Sequence, residues 1–398
     1  MKKKFFIPLC ALAAIFAACS NDDNPIADES AQVIDLFVSN TSDNQLATRA
    51  GRPLYGSEAL QDVDSVVVYI YDQSGSIKHV TTIEDWKSVS SAHDNGRKYT
   101  FRLTGEQKLP IGKYTLRAYA HSENTSAVFK QTPQVNFPYE GVEVAFNNNP
   151  AKEFFAGNSP LKVEGTPAAF TAGNTVVLKR QVAGAFGYFT NIPAKVLDKE
   201  TKTIRLVSSV KNTTVEISDL TENQTNGKTP ADPADAKLKN GSDAFVVYEA
   251  NVQDWFTSGD SSNDGLLGVD DIWTTQIPNN GVKILDNTIL IGNFLVPVAK
   301  HDTNNTFELQ LLAADGTITK TWNVGIQDNK IVSGDTKHRY GIYRNHLYGI
   351  GQKTLNNPED PTNPGVGHTE EPIDLSKDQD IIIDINSTWD VIHSLELE

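Results

Sequence analysis

The chain contains almost no cysteine or methionine. Cys10 and Cys19 are its two cysteines, both within the first twenty residues, and Met1 is its single methionine. The remainder can form no internal disulfide and no thiolate metal site, and it offers no cysteine nucleophile. After loss of the amino-terminal segment, stability must therefore come from apolar burial and hydrogen-bonded strands.

Positive charge is also scarce. Lys and Arg number 35 against 50 Asp and Glu, which gives a formal net charge of −15 over 398 residues. Such a chain repels phosphate backbones, so no nucleic-acid partner is expected. The acidic residues are scattered rather than clustered, as on a solvated surface.

Catalytic signatures are missing as well. The sequence has no G-x-S-x-G, H-E-x-x-H, Walker A or dinucleotide-binding motif. We therefore expect neither enzyme activity nor a cofactor.

The amino terminus has the pattern of an export signal. Three lysines precede an apolar stretch, 5–16, that is too short to span a bilayer. Small residues then lead into Cys19, and this order is similar to a bacterial lipobox, where the cysteine thiol receives a lipid. The sequence predicts a signal peptide over 1–18 and an outer-membrane lipoprotein precursor, with an ordinary cleaved signal as the alternative. Membrane contact would then occur only through the lipid.

Nearly every patterned segment downstream has a period of two residues, which is typical of half-buried β-strands. The pattern predicts an all-β protein of two β-sandwiches with few helices. We expect a domain break near residue 173, giving sandwiches over 50–172 and 173–355. A proline-rich spacer would follow over 356–372, and a strand-bearing tail over 373–398.

The tail carries an unusually long alternating pattern over 381–397. At about 3.3 Å per residue this stretch would extend roughly 55 Å, far more than a typical strand. Its apolar side is predicted to act as a donor strand that enters another molecule, and the alternative is that it folds back as an ordinary strand of its own domain. The apolar residues of this side are Ile381, Ile383, Ile385, Trp389, Val391, Leu395 and Leu397.

A second strand-like segment, 31–39, lies before the first sandwich and places Ile34, Leu36 and Val38 on one face. A polar loop with Arg49 follows, and exposed polar loops are where proteolysis concentrates. Cutting between Arg49 and Ala50 would remove the lipid together with this strand. A vacated strand position leaves unpaired edges that accept another strand, as in donor-strand complementation.

Three features together resemble the FimA-type fimbrillins, the type V pilins of Bacteroidia: the lipobox at Cys19, Ala-Thr-Arg-Ala around Arg49, and the terminal STWDVIHSLEL. The interior segments LPIGKYTLRAYAHS (109–122), VVLKRQVAGAFGYFTNI (176–192) and YRNHLYGI (343–350) are also similar to that family. His121 and Ser122 depart from it, because members often have Asn there.

The resemblance implies lipidation at Cys19 and cleavage after Arg49 by an arginine-specific surface protease. It implies two transthyretin-like β-sandwiches in the mature subunit, 50–398. The carboxy-terminal strand would insert into a neighbouring copy or a related subunit, building a fimbria on the cell surface.

One loop matches the spacing of an EF-hand loop through Asp260, Ser262, Asp264 and Asp271. Asp stands where a bidentate Glu is usual, and no flanking helices are predicted. A solvated acidic loop is the favoured interpretation, with calcium binding as a weak alternative.

Two other functions remain open on the sequence. A monomeric surface lipoprotein could bind glycans through exposed tryptophans such as Trp255, Trp273 or Trp322. The second open function is that of an accessory or tip subunit with an adhesive role.

Overall fold

In the computed structural model, most of the described residues lie in β-strands. The described residues are 32–39, 63–93, 96–121, 127–129, 143–146, 153–208, 214–217, 245–273, 284–296, 307–327, 342, 344, 347–353, 370–377 and 381–386. Within them the helices are one α-helix, α1 (Trp86–Val89), and the 3₁₀ turns Gly105–Gln107 and Val252–Asp254.

The first eleven strands precede the domain junction. They are β1 (Gln32–Ser39), β2 (Ser65–Asp72), β3 (Ile77–Ile83), β4 (Ser91–His93), β5 (Gly96–Leu103), β6 (Gly112–His121), β7 (Ala127–Phe129), β8 (Glu143–Phe146), β9 (Phe154–Glu164), β10 (Ala169–Ala172) and β11 (Thr175–Arg180).

The remaining strands follow it. They are β12 (Ala183–Thr190), β13 (Ile192–Pro193), β14 (Lys195–Val196), β15 (Lys199–Glu200), β16 (Thr203–Ser208), β17 (Thr214–Glu216), β18 (Phe245–Asn251), β19 (Leu266–Leu267), β20 (Ile289–Leu295), β21 (Phe307–Leu312), β22 (Ile318–Gln327), β23 (Leu347–Ile350), β24 (Gln352–Lys353), β25 (Glu370–Glu371), β26 (Ile373–Asp374) and β27 (Ile381–Asn386).

The first sandwich packs β3-β2-β6-β9 against β4-β5-β1-β11. Strand β11 joins the two layers: 175–178 pair with β1, whereas Lys179 and Arg180 pair with β9. The alternating inward side chains of both layers form one core, with Trp86 fully buried at its side.

The second sandwich follows the strand order β18-β16-β21-β22-β27-β23-β12-β20. Its strands contribute to a single apolar core that includes Phe186, Leu309 and Ile350. A tight turn at Asp315-Gly316 joins β21 to β22, and Gly316 has φ +78° there.

The all-β fold that period-two patterning predicted is confirmed, but two predicted boundaries change. The domain division lies after β11, at Gln181 and Val182, rather than at 173. Residues 175–180 belong to the first sandwich because they pair with β1 and β9. Glu370 and Glu371, predicted to be spacer, form β25 against β24.

The predicted donor strand also begins inside its own molecule. Residues 381–386 form β27, which lies between β22 and β23 of the second sandwich. For this part of the tail the ordinary-strand alternative is the one the structure shows. The rest of the predicted donor strand, from 387 on, lies outside the described residues.

Apolar contacts join the two sandwiches. Tyr119 and Phe154 of the first sandwich share a buried cluster with Val182 and Val296. Nearby, Arg180 and Glu153 form an ion pair at 2.8 Å with both side chains 2% exposed. Among the described residues, no helix has the length and apolar character that crossing a membrane requires.

Candidate functional site: the β1 groove

The candidate site is the position that β1 fills in the first sandwich, here called the β1 groove. Strand β1 runs antiparallel to β5 over its whole length and parallel to β11 over 35–38. It is therefore an internal strand, hydrogen-bonded on both sides. Its departure would leave two unpaired backbone edges, one on β5 and one on β11.

The face of β1 that packs into the first core is apolar. Ile34, Leu36 and Val38 are fully buried, and they alternate with half-buried residues as the sequence predicted. At about 1.5–3 kcal/mol for each buried aliphatic side chain, they contribute roughly 5–9 kcal/mol of gross transfer free energy. An empty groove would expose apolar walls of matching area.

A buried amide holds the first residue of β1. Gln32 is fully buried, and its Nε2 donates to the carbonyl oxygen of Leu109 at 2.8 Å. The backbone N–H of Leu109 donates in return to Oε1 of Gln32, also at 2.8 Å. The side chain thus pairs with the 104–111 connection as a neighbouring strand would, and it fixes the start of β1.

Polar contacts hold the outward face of β1. Nζ of Lys98 lies 3.0 Å from Oδ2 of Asp35, and the hydroxyl of Thr100 donates to Oδ1 at 2.6 Å. Burial alone would raise the pKa of Asp35, but these hydrogen bonds and the charge of Lys98 lower it below its ordinary value of 3.8. The Nδ2 of Asn174 also donates to the carbonyl oxygen of Val33 at 3.2 Å.

The backbones of β1 and β5 approach closely at Gly96. A Cβ added at this glycine would lie 2.0 Å from the carbonyl oxygen of Val38. Any side chain at position 96 would push the strands apart, so glycine there is a requirement of β1 packing.

The other predicted site residues divide into two groups. Ile381 and Ile383 are buried in the second sandwich, 1% exposed, and Ile385 pairs with Tyr348. Outside the described residues lie Cys19, Arg49, Ala50, Trp389, Val391, Leu395 and Leu397.

Sequence reasoning missed Gln32, Leu109, Asn174 and Gly96. Their contacts with β1 are formed across as many as 141 sequence positions, and a local pattern carries no signal of such pairs. A polar residue at an inward position of the alternation, as at Gln32, is the one clue available.

The structure brings the four calcium candidates into one loop whose carboxylates accept backbone N–H groups. Asp271 accepts from Ser261, Ser262 and Gly268, and Asp260 accepts from Asp264 and Gly265. Among the described residues no cluster of three or more His, Cys, Asp or Glu side chains has the arrangement of a metal site. The carboxylates organise the loop itself.

The tryptophans considered for glycan binding do not form a platform. Trp255 and Trp322 are 2% and 6% exposed. Trp273 packs against the core of the second sandwich and donates its indole N–H to the carbonyl oxygen of Thr288. No observation on these side chains favours sugar stacking.

No family model matches the chain, and a search of curated proteins finds no match. Solved structures do resemble it. A fimbrial assembly protein from Parabacteroides distasonis has a TM-score of 0.36 and 13% identity, over 82% of this chain and 93% of the other. The fimbrial anchor protein Mfa2 from Porphyromonas gingivalis has a TM-score of 0.32 and 13% identity, over 82% and 92%.

A cell adhesion candidate from Parabacteroides distasonis has a TM-score of 0.44 and 11% identity, over 92% of this chain and 99% of the other. At these scores and identities the similarity assigns neither a family nor an activity to this chain.

Proposed function

We propose that this chain is a FimA-type structural subunit of a surface fimbria, polymerised by donor-strand insertion. It is exported as a lipoprotein precursor with the lipid on Cys19, and an arginine-specific surface protease cuts it between Arg49 and Ala50. The role is structural, without catalysis, cofactor or nucleic acid.

One observation carries the proposal: β1 is an internal core strand that precedes the predicted cleavage site. All its strand partners follow residue 50, since β5 and β11 lie at 96–103 and 175–180. A cut after Arg49 would leave β1 bound by noncovalent contacts alone. The subunit would then hold a complete core strand that it can lose.

Binding of another strand in the opened β1 groove is energetically favourable. It combines two unpaired backbone edges with the apolar walls that covered Ile34, Leu36 and Val38. A strand with alternating apolar residues satisfies both, which is β-augmentation. Burial along a whole strand makes dissociation slow, because every ladder bond and side-chain contact must break together.

The carboxy-terminal tail of another copy is the proposed strand. Its positions Val391, Leu395 and Leu397 continue the odd-numbered apolar series. Since each subunit then has one groove and one tail, insertion repeats from copy to copy and yields a linear filament.

Treatment of the purified precursor with an arginine-specific protease tests this function. We expect a fragment that begins at Ala50, followed by SDS-resistant ladders. Arg49→Gln should prevent both. Deletion of 387–398 should leave cleavage intact and abolish the ladders, and it spares β27, which a deletion from 381 would remove from the core. Ladders that persist without 387–398 would contradict donation by the tail.

A further inference from the structure

One of the two edges of the β1 groove belongs to a strand with little other pairing. Strand β11 pairs with β1 along 175–178, and among the described strands its other partner is β9, at Lys179 and Arg180. Strand β5, at the opposite edge, also pairs with β4 at 96–98. Once β1 has left, the ladder that joins β11 to its sheet therefore consists of two residue pairs.

A buried ion pair lies at this short ladder. Glu153 directly precedes β9, and its Oε1 accepts hydrogen bonds from Nε and Nη2 of Arg180 at 3.0 and 2.8 Å. Both side chains are 2% exposed, and the guanidinium carbon of Arg180 lies 4.9 Å from the ring centroid of Phe155. Because little water reaches the two charges, their attraction is screened less than that of a surface pair.

Hydrogen bonds that do not involve β1 lie at both ends of β11. The backbone N–H of Gln181 donates to the carbonyl oxygen of Phe154 at 2.8 Å. Oε1 of Gln181 in turn accepts from Nη1 of Arg344, in the second sandwich, at 2.6 Å. Just before β11, the carbonyl oxygen of Gly173 accepts from the hydroxyl of Ser159 at 3.1 Å. These partners remain when β1 is gone, and the ion pair lies where β11 continues into the second sandwich.

We propose that Glu153 and Arg180 are positioning residues for strand exchange. They hold β11 on β9 while the β1 groove is empty, so that both backbone edges are in place for an incoming strand. The inference rests on the proposed function, and it applies to any strand that enters the groove. An edge already in place spares the incoming strand the cost of ordering it. If β11 were in place for only about a tenth of the time, the apparent affinity of the groove for a strand would fall about ten-fold.

Binding of the β1 sequence to the emptied groove tests this role. The cleaved full chain is freed of its 1–49 fragment, diluted below the concentration at which ladders form, and titrated with a labelled peptide of residues 31–40. Glu153→Gln/Arg180→Met removes the ion pair without leaving a buried charge. We expect its dissociation constant for the peptide to be at least about ten-fold above that of the parent. A value within about three-fold of the parent would overturn the inference.

A disulfide in place of the ion pair distinguishes positioning from general stability. Ala156 faces Lys179 across β9 and β11, so Ala156→Cys/Lys179→Cys joins the two strands at the same ladder. The disulfide is added to the double variant, with both natural cysteines replaced by serine, and the parent with the same disulfide is the reference. Oxidation should return the affinity to within about three-fold of this reference, and reductant should abolish the gain. An oxidised variant that still binds about ten-fold more weakly than the reference would overturn the inference.

Gln310→Met is the matched control, because it too removes a hydrogen-bond acceptor from a buried arginine. Oε1 of Gln310 accepts from Nε of Arg205 at 3.0 Å, and both residues are buried in the second sandwich. This variant should bind the peptide within about three-fold of the parent, since β9 and β11 are unchanged. Binding about ten-fold weaker would show that a stability loss anywhere weakens the groove, and it would overturn the positioning role. A parent that binds no peptide at all would instead overturn the proposed function.

Hydrogen exchange of the unsubstituted cleaved chain gives a measurement that needs no variant to fold. The N–H of Gln181 donates to Phe154 next to β9, not to β1, so its exchange reports whether β11 stays on β9. With the groove empty, this amide should exchange at most about ten-fold faster than with the peptide bound. Exchange more than about a hundred-fold faster would show that β11 leaves β9 and would overturn the inference.

Discussion

Replacing Gln32 by leucine tests how firmly the precursor holds β1. Leucine keeps most of the side-chain volume but removes both 2.8 Å hydrogen bonds to Leu109. The N–H of Leu109 then stays buried without a partner, because a leucine side chain accepts no hydrogen bond. Two lost hydrogen bonds and one unsatisfied buried donor together cost about 2–4 kcal/mol.

Hydrogen exchange of the β1 amides in the uncleaved precursor measures this cost. A loss of 2–4 kcal/mol corresponds to roughly 30- to 700-fold faster exchange through opening of β1. After cleavage, the Gln32→Leu precursor should also release the 1–49 fragment and form ladders sooner, because the strand that must leave is held less tightly.

Gln107→Leu is the matched control. Gln107 lies on the same connection as Leu109, with an exposed side chain, so exchange in β1 should change little. A Gln32→Leu precursor whose β1 exchanges less than about five-fold faster, under 1 kcal/mol, would refute the reasoning that the amide holds the strand.

Three further predictions concern the same framework. The pKa of Asp35 in the folded precursor lies below 3.8, so the ionised carboxylate stabilises the fold above that pH. This stabilisation is lost as the pH falls through the folded pKa. The urea unfolding midpoint of Asp35→Asn should therefore vary less with pH below 4 than that of the parent. Gly96→Ala should lower the free energy of unfolding by about 1–3 kcal/mol through its clash with β1. Gly325→Ala should change it little in the same denaturation experiment, because the nearest described atom to its added Cβ is the carbonyl oxygen of Ile381, 3.9 Å away. Glu153→Gln should cost about 3–5 kcal/mol by leaving Arg180 buried without its ion pair, and a double variant with Arg180→Met should recover part of that loss; equal losses in the single and double variants would argue against the pairing.

The strands themselves were largely predictable from alternation. At 113–118 and 321–324 one side of the strand meets a core and the other does not, so the sequence must alternate to bury one side. The position of β1 within a core also followed from its apolar face, since Ile34, Leu36 and Val38 have no reason to alternate on a solvated tether.

The domain boundary and the fate of the tail were not predictable in this way. Strand β11 follows a turn-rich stretch, and nothing in its own residues tells whether it closes the first sandwich or opens the second. Residues 381–386 continue the same alternation as the residues after them, yet the structure pairs them with β22 and β23.

The sequence by itself determined an all-β chain with an apolar strand ahead of Arg49, because alternation is a local property. Only the tertiary structure decided which strands border β1 and that Gln32 pairs with Leu109. It alone showed that the tail begins inside its own second sandwich. The physical reason is that strand pairing joins residues distant in sequence, and an alternating strand satisfies any edge of suitable length.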